Sequence, residues 1–260
     1  PPPWAQDPSC RGSYACPPTT TGPYATFVAK AVAHYGSTRT AFEIWNEPNF
    51  PVFWKNPDAA RYGRLLLAAA KAAHAQDPKA VVIVGGLAAT APGSTVVDQM
   101  TFLAGVCDTG ACAEVDGVGY HPYTYPVKAS LRPSWTTSWT RISRDPRSLR
   151  STLRAAGHGS LKIWVTEFGA PTGGPGRESD GSPETPEKPT DHVSEKVQAA
   201  LAADVVATAA RDPQIAALFW YIDKDDPAKQ PDREGYFGLR RADGSAKPAF
   251  AAYRDAAAKL

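Results

Sequence analysis

The amino-acid sequence predicts an α/β fold in which about five parallel strands alternate with helices. Two observations lead to this prediction: short apolar segments recur along the chain of 260 residues, and a segment of helical character follows each of them. Strands that alternate with helices form βα units and a parallel sheet. Because the connections in such units are right-handed, we expect the sheet to curl toward a barrel within a single domain, residues 1–260.

The predicted strands differ in how strongly the sequence marks them. The clearest is the apolar run at residues 80–84, which is typical of a strand buried on both faces of a parallel sheet. The other predicted strands end in polar or aromatic residues, which could take part in a functional site. Strands are predicted over residues 40–45, 80–84, 115–120, 162–166 and 215–221.

The predicted helices are indicated by apolar residues at helical spacing and by residues that favour helix ends. Gly36 ends the first helix, and Asn56, followed by Pro57 and Asp58, is expected to begin the second as its N-cap. Helices are predicted over residues 23–35, from 56 onward, and over 95–106, 146–156, 191–210 and 247–260.

The composition argues against several classes of protein. The chain carries 28 basic and 26 acidic residues, and this net charge of +2 is too even to indicate nucleic acid or a membrane surface as an obligate partner. No apolar run approaches the ~18 residues of a transmembrane helix. Because the N-terminal segment lacks a signal-peptide pattern, we expect either that a signal was removed or that the chain starts inside a longer protein.

The four cysteines fall into two close pairs, Cys10 with Cys16 and Cys107 with Cys112. Neither pair has the tighter spacing usual in zinc sites. We therefore predict two local disulfides, which place the protein in an oxidising, extracellular or periplasmic setting. Four free thiols are the alternative.

The ends of the predicted strands carry the side chains that could take part in a reaction. Glu47 and Glu167 each follow a strand, and His121 and Tyr123 follow a strand between them. Parallel βα folds place their active sites at these carboxyl ends. Two carboxylates of this kind suit glycoside cleavage, in which one protonates the leaving oxygen and the other attacks the anomeric carbon. For either glutamate alone, a capping or salt-bridge role is the simpler interpretation.

Other chemistries find little support in the sequence. There is no dinucleotide-binding fingerprint, P-loop, metalloprotease motif or nucleophile elbow. The acidic residues Asp223, Asp225 and Asp226 do not have the spacing of a calcium-binding loop, and a solvated turn is the simpler interpretation. We therefore expect neither a metal nor a cofactor.

At these positions the sequence resembles a known group of enzymes. Asn46-Glu47-Pro48 and Thr166-Glu167-Phe168-Gly169 are similar to the two signatures of the clan A glycosidases. The wider context at 44–49 and the opening at 2–5 resemble glycoside hydrolase family 39 and its relatives, and the resemblance runs over most of the chain. It implies a TIM barrel in which the acid/base follows the fourth strand and the nucleophile follows the seventh.

The resemblance also implies roles for single residues. Glu47 would be the general acid/base and Glu167 the nucleophile. Asn46 would hydrogen-bond the sugar 2-hydroxyl, a contact that strengthens in the transition state. Either His121 or Tyr123 would hold the nucleophile and keep it ionised.

Several tryptophans are candidates for sugar stacking. Trp220, at the end of the last strand, would form a floor for the sugar ring, with core packing as an equal alternative. Trp4, in the family-like opening, and Trp54, in the loop after the first glutamate, are further candidates. For Trp135 and Trp139 we favour the interpretation that their rings only pin a long loop.

The spacing of the two glutamates leaves no room for a complete barrel. They are 120 residues apart (167 − 47), or about 40 for each of three βα units, whereas only 46 residues precede Glu47. The prediction is thus an incomplete TIM-type (β/α) barrel that holds the third to eighth helices and lacks the first three strands. We expect self-association to cover its open side as a homo-oligomer, since unpaired edges and exposed apolar surface mark interfaces. A processed or incomplete chain is the alternative.

The leading functional hypothesis is a retaining hydrolase of β-linked glycosides that acts on an oligo- or polysaccharide. The alternative is a non-catalytic carbohydrate-binding protein or degenerate glycosidase whose site is incomplete. The sequence does not determine the sugar, the linkage, or whether cleavage is internal or terminal.

Overall fold

The computed structural model describes residues 1–36, 40–90, 95–179 and 190–260. The chain divides into two compact units. The first unit contains Pro1–His121 and Ile142–Trp164, and the second unit contains Pro122–Arg141 and Val165–Leu260. The single-domain organisation stays a prediction.

The five predicted strands are present, and so are the six helices. The strands are β1 (Ala41–Asn46), β2 (Val81–Ala88), β3 (Gly117–His121), β4 (Lys162–Phe168) and β5 (Ile215–Trp220). The helices are α1 (Gly22–Tyr35), α2 (Ala59–Gln76), α3 (Gln99–Cys107), α4 (Leu149–Ala155), α5 (Glu195–Ala209) and α6 (Pro248–Ala257), with short 3₁₀ turns at Pro3–Ala5, Ala111–Glu114, Pro227–Lys229 and Arg233–Gly235.

The strands form one parallel sheet in the order β1-β2-β3-β4-β5, so the prediction of an α/β fold with flanking helices is confirmed. In the first unit, β1 pairs with β2 in the register Ala41 to Val81, and β2 pairs with β3 in the register Ile83 to Gly117. The apolar run that the sequence marked most strongly is buried, as expected for a strand covered on both faces.

Four of the six helices in the described residues begin at side chains that accept backbone hydrogen bonds. The expectation that α2 begins at Asn56 is wrong by two residues: Asp58 is the N-cap, because its carboxylate accepts from the Arg61 amide at 2.9 Å. Asn56 has a left-handed φ of 55° and precedes the helix. Asp98, Ser148 and Ser194 cap α3, α4 and α5 in the same way.

A buried tyrosine ties helix to sheet in the first unit. The Tyr62 hydroxyl of α2 donates to the Ile44 carbonyl oxygen of β1 at 2.7 Å and accepts from the Gly85 amide of β2 at 2.8 Å. Burial raises the pKa of Tyr62 well above its usual value. Because β1 carries Glu47 at its end, this contact fixes the position from which that side chain projects.

A buried lysine organises the second unit. Lys247 Nζ donates to Asp225 Oδ1 at 2.7 Å, to Thr172 Oγ1 at 2.8 Å and to the Tyr236 carbonyl oxygen at 3.1 Å. The lysine side chain is fully buried, and burial lowers its pKa while the Asp225 carboxylate opposes this effect. The contacts join the loop after β4, which follows Glu167, to the loop after β5.

Among the described residues, none of the helices combines the length and apolar character needed to cross a membrane.

Candidate active site

Glu47 lies directly after β1, where the backbone leaves the extended conformation. Its amide donates to the Gly86 carbonyl oxygen of β2 at 2.9 Å. Its φ of 40° and the φ of 75° at Trp45 lie in the left-handed region that residues with side chains rarely adopt. Such backbone conformations cost about 1–3 kcal/mol each and cluster at functional sites, which marks this turn as a specialised one.

A buried histidine faces Glu47 within the first unit. His121, the last residue of β3, places Nδ1 2.8 Å from Glu47 Oε1, and its ring is 1% exposed. Gly86 makes room for that ring, because a Cβ added there would lie 1.9 Å from His121 Nε2. Sequence reasoning gave Gly86 no role. Paired glycines inside an apolar strand are the signal that could have revealed it.

Asn49 fixes the loop that follows Glu47. The Asn49 side chain is fully buried; its amide nitrogen donates to the carbonyl oxygens of Ala88 and Val97, both at 3.0 Å, and its oxygen accepts from the Ala88 amide at 2.9 Å. Sequence reasoning included Asn49 in the motif without giving it a function. The binding of a sugar hydroxyl by Asn46, whose backbone pairs with Gly86, stays a prediction.

In the second unit, Glu167 near the end of β4 is held by a tyrosine. The Tyr123 hydroxyl donates to Glu167 Oε2 at 2.8 Å. Of the two residues expected to hold this glutamate, the structure therefore pairs Tyr123 with Glu167 and His121 with Glu47.

Two further aromatic residues position Tyr123. Its ring packs edge-on against Tyr221 at 6.5 Å and Phe237 at 5.8 Å, and these two rings also pack against each other at 5.6 Å. The Tyr221 amide donates to the Phe168 carbonyl oxygen at 2.9 Å, directly beyond Glu167. Sequence reasoning gave a role to neither Tyr221 nor Phe237. For Phe237 no pattern signalled one, because it lies in an irregular segment.

Charged groups follow Tyr221 in the same unit. The interaction with Tyr221 raises the pKa of Lys229, with smaller contributions from nearby carboxylates. Burial raises the pKa of Glu234, and the cations Arg233 and Lys229 oppose that effect. The segment after β5 therefore brings ionisable groups of both signs close to Tyr221.

Trp220 takes the packing role that the sequence analysis kept as an alternative. Its Nε1 donates to the Phe237 carbonyl oxygen at 3.0 Å, and its ring packs against Phe168 at 5.9 Å and against Tyr253 of α6 at 6.2 Å. It also adjoins the buried cluster formed by Ala202, Leu239 and Ala249. These contacts are those of a ring between sheet and helices.

The expectation that Trp54 stacks on substrate is wrong for this structure. Its side chain is 1% exposed, because its ring is enclosed between Trp45 at 5.3 Å and Tyr62 at 5.8 Å. Trp4 lies in the turn Pro3–Ala5 and is 72% exposed, so its proposed contact with substrate stays a prediction.

Both predicted disulfides, Cys10–Cys16 and Cys107–Cys112, are present, and the chain has no free cysteine. Both lie in the first unit. The Cys10–Cys16 disulfide cross-links the N-terminal loop, in which Asp7 forms a salt bridge with Arg61 of α2 at 2.8 Å. The second closes the turn that leads from α3 toward β3.

No family model matches the chain. It is similar to a beta-xylosidase from Geobacillus stearothermophilus, with 27% identity over 58% of this chain and 32% of that protein. A monomeric beta-xylosidase from Caulobacter crescentus superposes with a TM-score of 0.61, 26% identity, and coverage of 91% of this chain and 46% of the other. A family 39 glycoside hydrolase from Bacteroides cellulosilyticus superposes with a TM-score of 0.62 and 27% identity, and the match covers 92% of this chain and 46% of that protein.

The chain thus spans a third to a half of the length of these relatives. Its five-stranded sheet matches part of the barrel of these glycosidases over nearly all of its own residues. In sequence, fold and strand-end motifs, this chain is thus similar to part of the barrel of the family 39 glycoside hydrolases.

Proposed function

We propose that this chain is a retaining hydrolase of β-linked glycosides that works by a double displacement on two glutamates, Glu47 and Glu167. The observation that carries the proposal is that each of these carboxylates lies at the end of a parallel strand and has its own hydrogen-bonding partner. His121 contacts Glu47 at 2.8 Å, and Tyr123 contacts Glu167 at 2.8 Å. The similarity to beta-xylosidases supports the reaction class.

In the first step, a Glu167 oxygen attacks the anomeric carbon while the glycosidic bond breaks. Glu47 gives its proton to the leaving oxygen, so the aglycone departs neutral and a glycosyl ester forms on Glu167. In the second step, Glu47 takes a proton from water, and the resulting hydroxide displaces Glu167. The proposal requires that the two carboxyl groups lie ~5–5.5 Å apart in the working enzyme.

The partners of the two carboxylates suit these roles. The Tyr123 phenol donates a hydrogen bond to Glu167 and holds one oxygen of this proposed nucleophile in place. The His121 imidazole is itself able to exchange protons, which suits a partner of the residue that cycles between acid and base. Asn46 is proposed to bond the sugar 2-hydroxyl, and no metal or cofactor takes part.

A second candidate is a carbohydrate-binding or degenerate protein that keeps the glutamates without turnover. The observation that favours it is the span of the chain, 46% of the solved family 39 relative. In both cases we propose an extracellular or periplasmic location, because the chain contains two disulfides. We also propose self-association through β1 and β5, the terminal strands of the sheet. A monomer by light scattering would contradict this self-association.

The test is hydrolysis of a panel of aryl β-glycosides by the chain and by the variants Glu47→Gln and Glu167→Gln. Hydrolysis that either substitution abolishes supports the two-glutamate mechanism. Glu114→Gln serves as the control, because Glu114 lies in a short turn before β3 and outside both glutamate environments. Hydrolysis that survives both substitutions overturns the assignment, and binding of a sugar without hydrolysis selects the second candidate.

A further inference from the structure

The loop between β3 and α4 contains a cavity that the proposed reaction does not use. The cavity has a volume of about 270 Å³ and lies within residues 123–141 of the second unit. Three aromatic rings and a set of hydrogen-bonding side chains line it. The rings are those of Tyr123, Tyr125 and Trp135, and the polar groups include Thr136, Ser138 and Arg141.

The two tryptophans of this loop have different environments. Trp139 is 2% exposed and packs edge-on against Phe168 at 5.8 Å, which agrees with the expectation that it pins the loop. The same expectation for Trp135 is wrong, because its side chain is 51% exposed. An exposed indole on the wall of a cavity offers a large apolar face to a ligand at little cost in conformational entropy.

The loop that presents Trp135 is held in place by contacts on either side of it. Thr137 and Thr140 cap each other: the Thr137 amide donates to Thr140 Oγ1 at 2.9 Å, and the Thr140 amide donates to Thr137 Oγ1 at 3.1 Å. The Ser130 amide and hydroxyl both donate to the Asp204 carboxylate of α5. The wall is therefore built in advance, which lowers the entropy lost when a ligand binds.

Tyr123 links this cavity to Glu167. Its ring lines the cavity while its hydroxyl donates to Glu167 Oε2 at 2.8 Å. Tyr125, on the same wall, packs edge-on against Phe237 at 6.0 Å, the ring that also supports Tyr123. A ligand in the cavity would thus lie one side chain away from the carboxylate.

We propose that this cavity is a sugar subsite, in which a neutral pyranose ring of a β-linked oligosaccharide stacks on Trp135. Its walls combine flat apolar rings with hydroxyl and guanidinium groups, which match the apolar faces and the equatorial hydroxyls of such a ring. Small-molecule sites usually have volumes of ~300–1,000 Å³, so a cavity of about 270 Å³ suits one ring rather than a long chain. The subsite proposal rests on the proposed function in one respect, namely that Glu167 would act on the sugar next to the one in the cavity. Binding of a sugar in the cavity does not itself require hydrolysis.

The test is titration calorimetry of the intact chain with xylotetraose, cellotetraose and laminaritetraose. We expect that at least one tetrasaccharide binds, and that Trp135→Ala weakens its binding about tenfold, the effect of losing an aromatic contact of roughly 1.4 kcal/mol. Trp135→Phe should recover most of the affinity, because it keeps an aromatic face. Phe27→Ala removes an exposed aromatic ring, 63% exposed, from α1 of the first unit and should leave the affinity unchanged. Circular dichroism checks that each variant folds.

The outcomes separate the subsite from the hydrolase proposal. An unchanged affinity in Trp135→Ala, or no binding of any of the three tetrasaccharides at millimolar concentration, overturns the subsite. Binding that depends on Trp135 in a chain without hydrolase activity supports the subsite and overturns the proposed reaction. In an active chain, Trp135→Ala should raise KM for the tetrasaccharide while leaving kcat on a simple aryl glycoside within about twofold.

Discussion

The two glutamates have different surroundings, although both follow strands of one sheet. Glu47 contacts an imidazole that is 1% exposed, and Glu167 accepts from a phenol. An imidazole changes its charge near neutral pH, whereas a phenol stays neutral there. The contrast teaches that two carboxylates at the ends of strands can have hydrogen-bonding partners of different chemistry, which the sequence motifs themselves do not show.

The two units are also stabilised by different means. All four cysteines lie in the first unit, in two disulfides. The second unit has none and instead contains the buried pair of Lys247 with Asp225, whose side chains are 0% and 6% exposed. Covalent links fix two loops of the first unit, and a buried charge pair joins the loops after β4 and β5 in the second. Each prediction below tests one side of this comparison.

The largest expected effect separates the chemical roles of the glutamates. Glu167→Ala should lower kcat by at least about 10⁴-fold on every aryl β-glycoside, because the nucleophile is lost whatever the leaving group. Glu47→Ala should lower kcat/KM by about 10²–10⁴-fold with a poor leaving group but little with dinitrophenolate, which departs without a proton, while kcat falls with both because Glu47 is also the base of the second step. Kinetics on a series of aryl leaving groups measure this. The same dependence in both variants would contradict the division of roles.

A smaller effect concerns the buried pair of the second unit. Lys247→Met should destabilise the protein by about 3–5 kcal/mol, because it leaves the Asp225 carboxylate buried without its cation. Arg254→Met is the control: Arg254 and Asp255 are 64% and 58% exposed, and breaking such a pair should cost at most about 1 kcal/mol. Urea unfolding gives both values. Equal costs would show that the buried pair does not organise the second unit.

The donor to Glu167 is expected to matter less than the carboxylate itself. Tyr123→Phe keeps the ring and removes the hydroxyl, and it should lower kcat roughly tenfold to hundredfold, the worth of a hydrogen bond of about 1.5–3 kcal/mol to a charged group. His121→Asn is the matched change beside Glu47. Steady-state kinetics on one aryl glycoside compare the two. A kcat in Tyr123→Phe equal to that of the parent would remove Tyr123 from the mechanism.

The smallest effect lies in the N-terminal loop of the first unit. Hydrogen bonds from Ser9, and then the Arg61 guanidinium, lower the pKa of Asp7 from 3.8 to about 2. A carboxyl with a lowered pKa stabilises the fold above pH 3.8, and this contribution is lost as the pH falls through 2. Asp7→Asn should lower Tm slightly at pH 7 and less at pH 2, where the carboxyl of the folded protein is already partly protonated. A Tm difference as large at pH 2 as at pH 7 would contradict this origin.

Much of the fold could be predicted because it depends on local pattern. Apolar runs and helical spacing located every strand and helix, and the close pairs of cysteines predicted both disulfides. The start of α2 was misplaced by two residues, since Asn56 and Asp58 are both good caps and only backbone geometry chooses between them. The sequence section 180–189, rich in acids and prolines, lies outside the described residues.

The aromatic residues show where prediction from sequence ends. Trp54 and Trp135 lie in loops that follow predicted strands and Trp220 lies at the end of one, and the sequence made all three candidates for exposed rings. In the structure the first is enclosed, the second lines a cavity and the third packs against α6. Whether a ring is buried depends on which distant segments come together. The local sequence pattern does not predict this for a single side chain.

The sequence by itself determined the parallel α/β fold, the disulfide pairs and the two glutamates at strand ends, because periodicity, spacing and short motifs are local properties of a chain. Tertiary structure alone decided that the His121 ring contacts Glu47 and that the Tyr123 hydroxyl donates to Glu167. It also decided that Gly86 makes room for the imidazole of His121. These pairings join residues 74 and 44 positions apart. Contacts of that range arise only when the strands are placed side by side, since side-chain distances then follow from sheet register and packing.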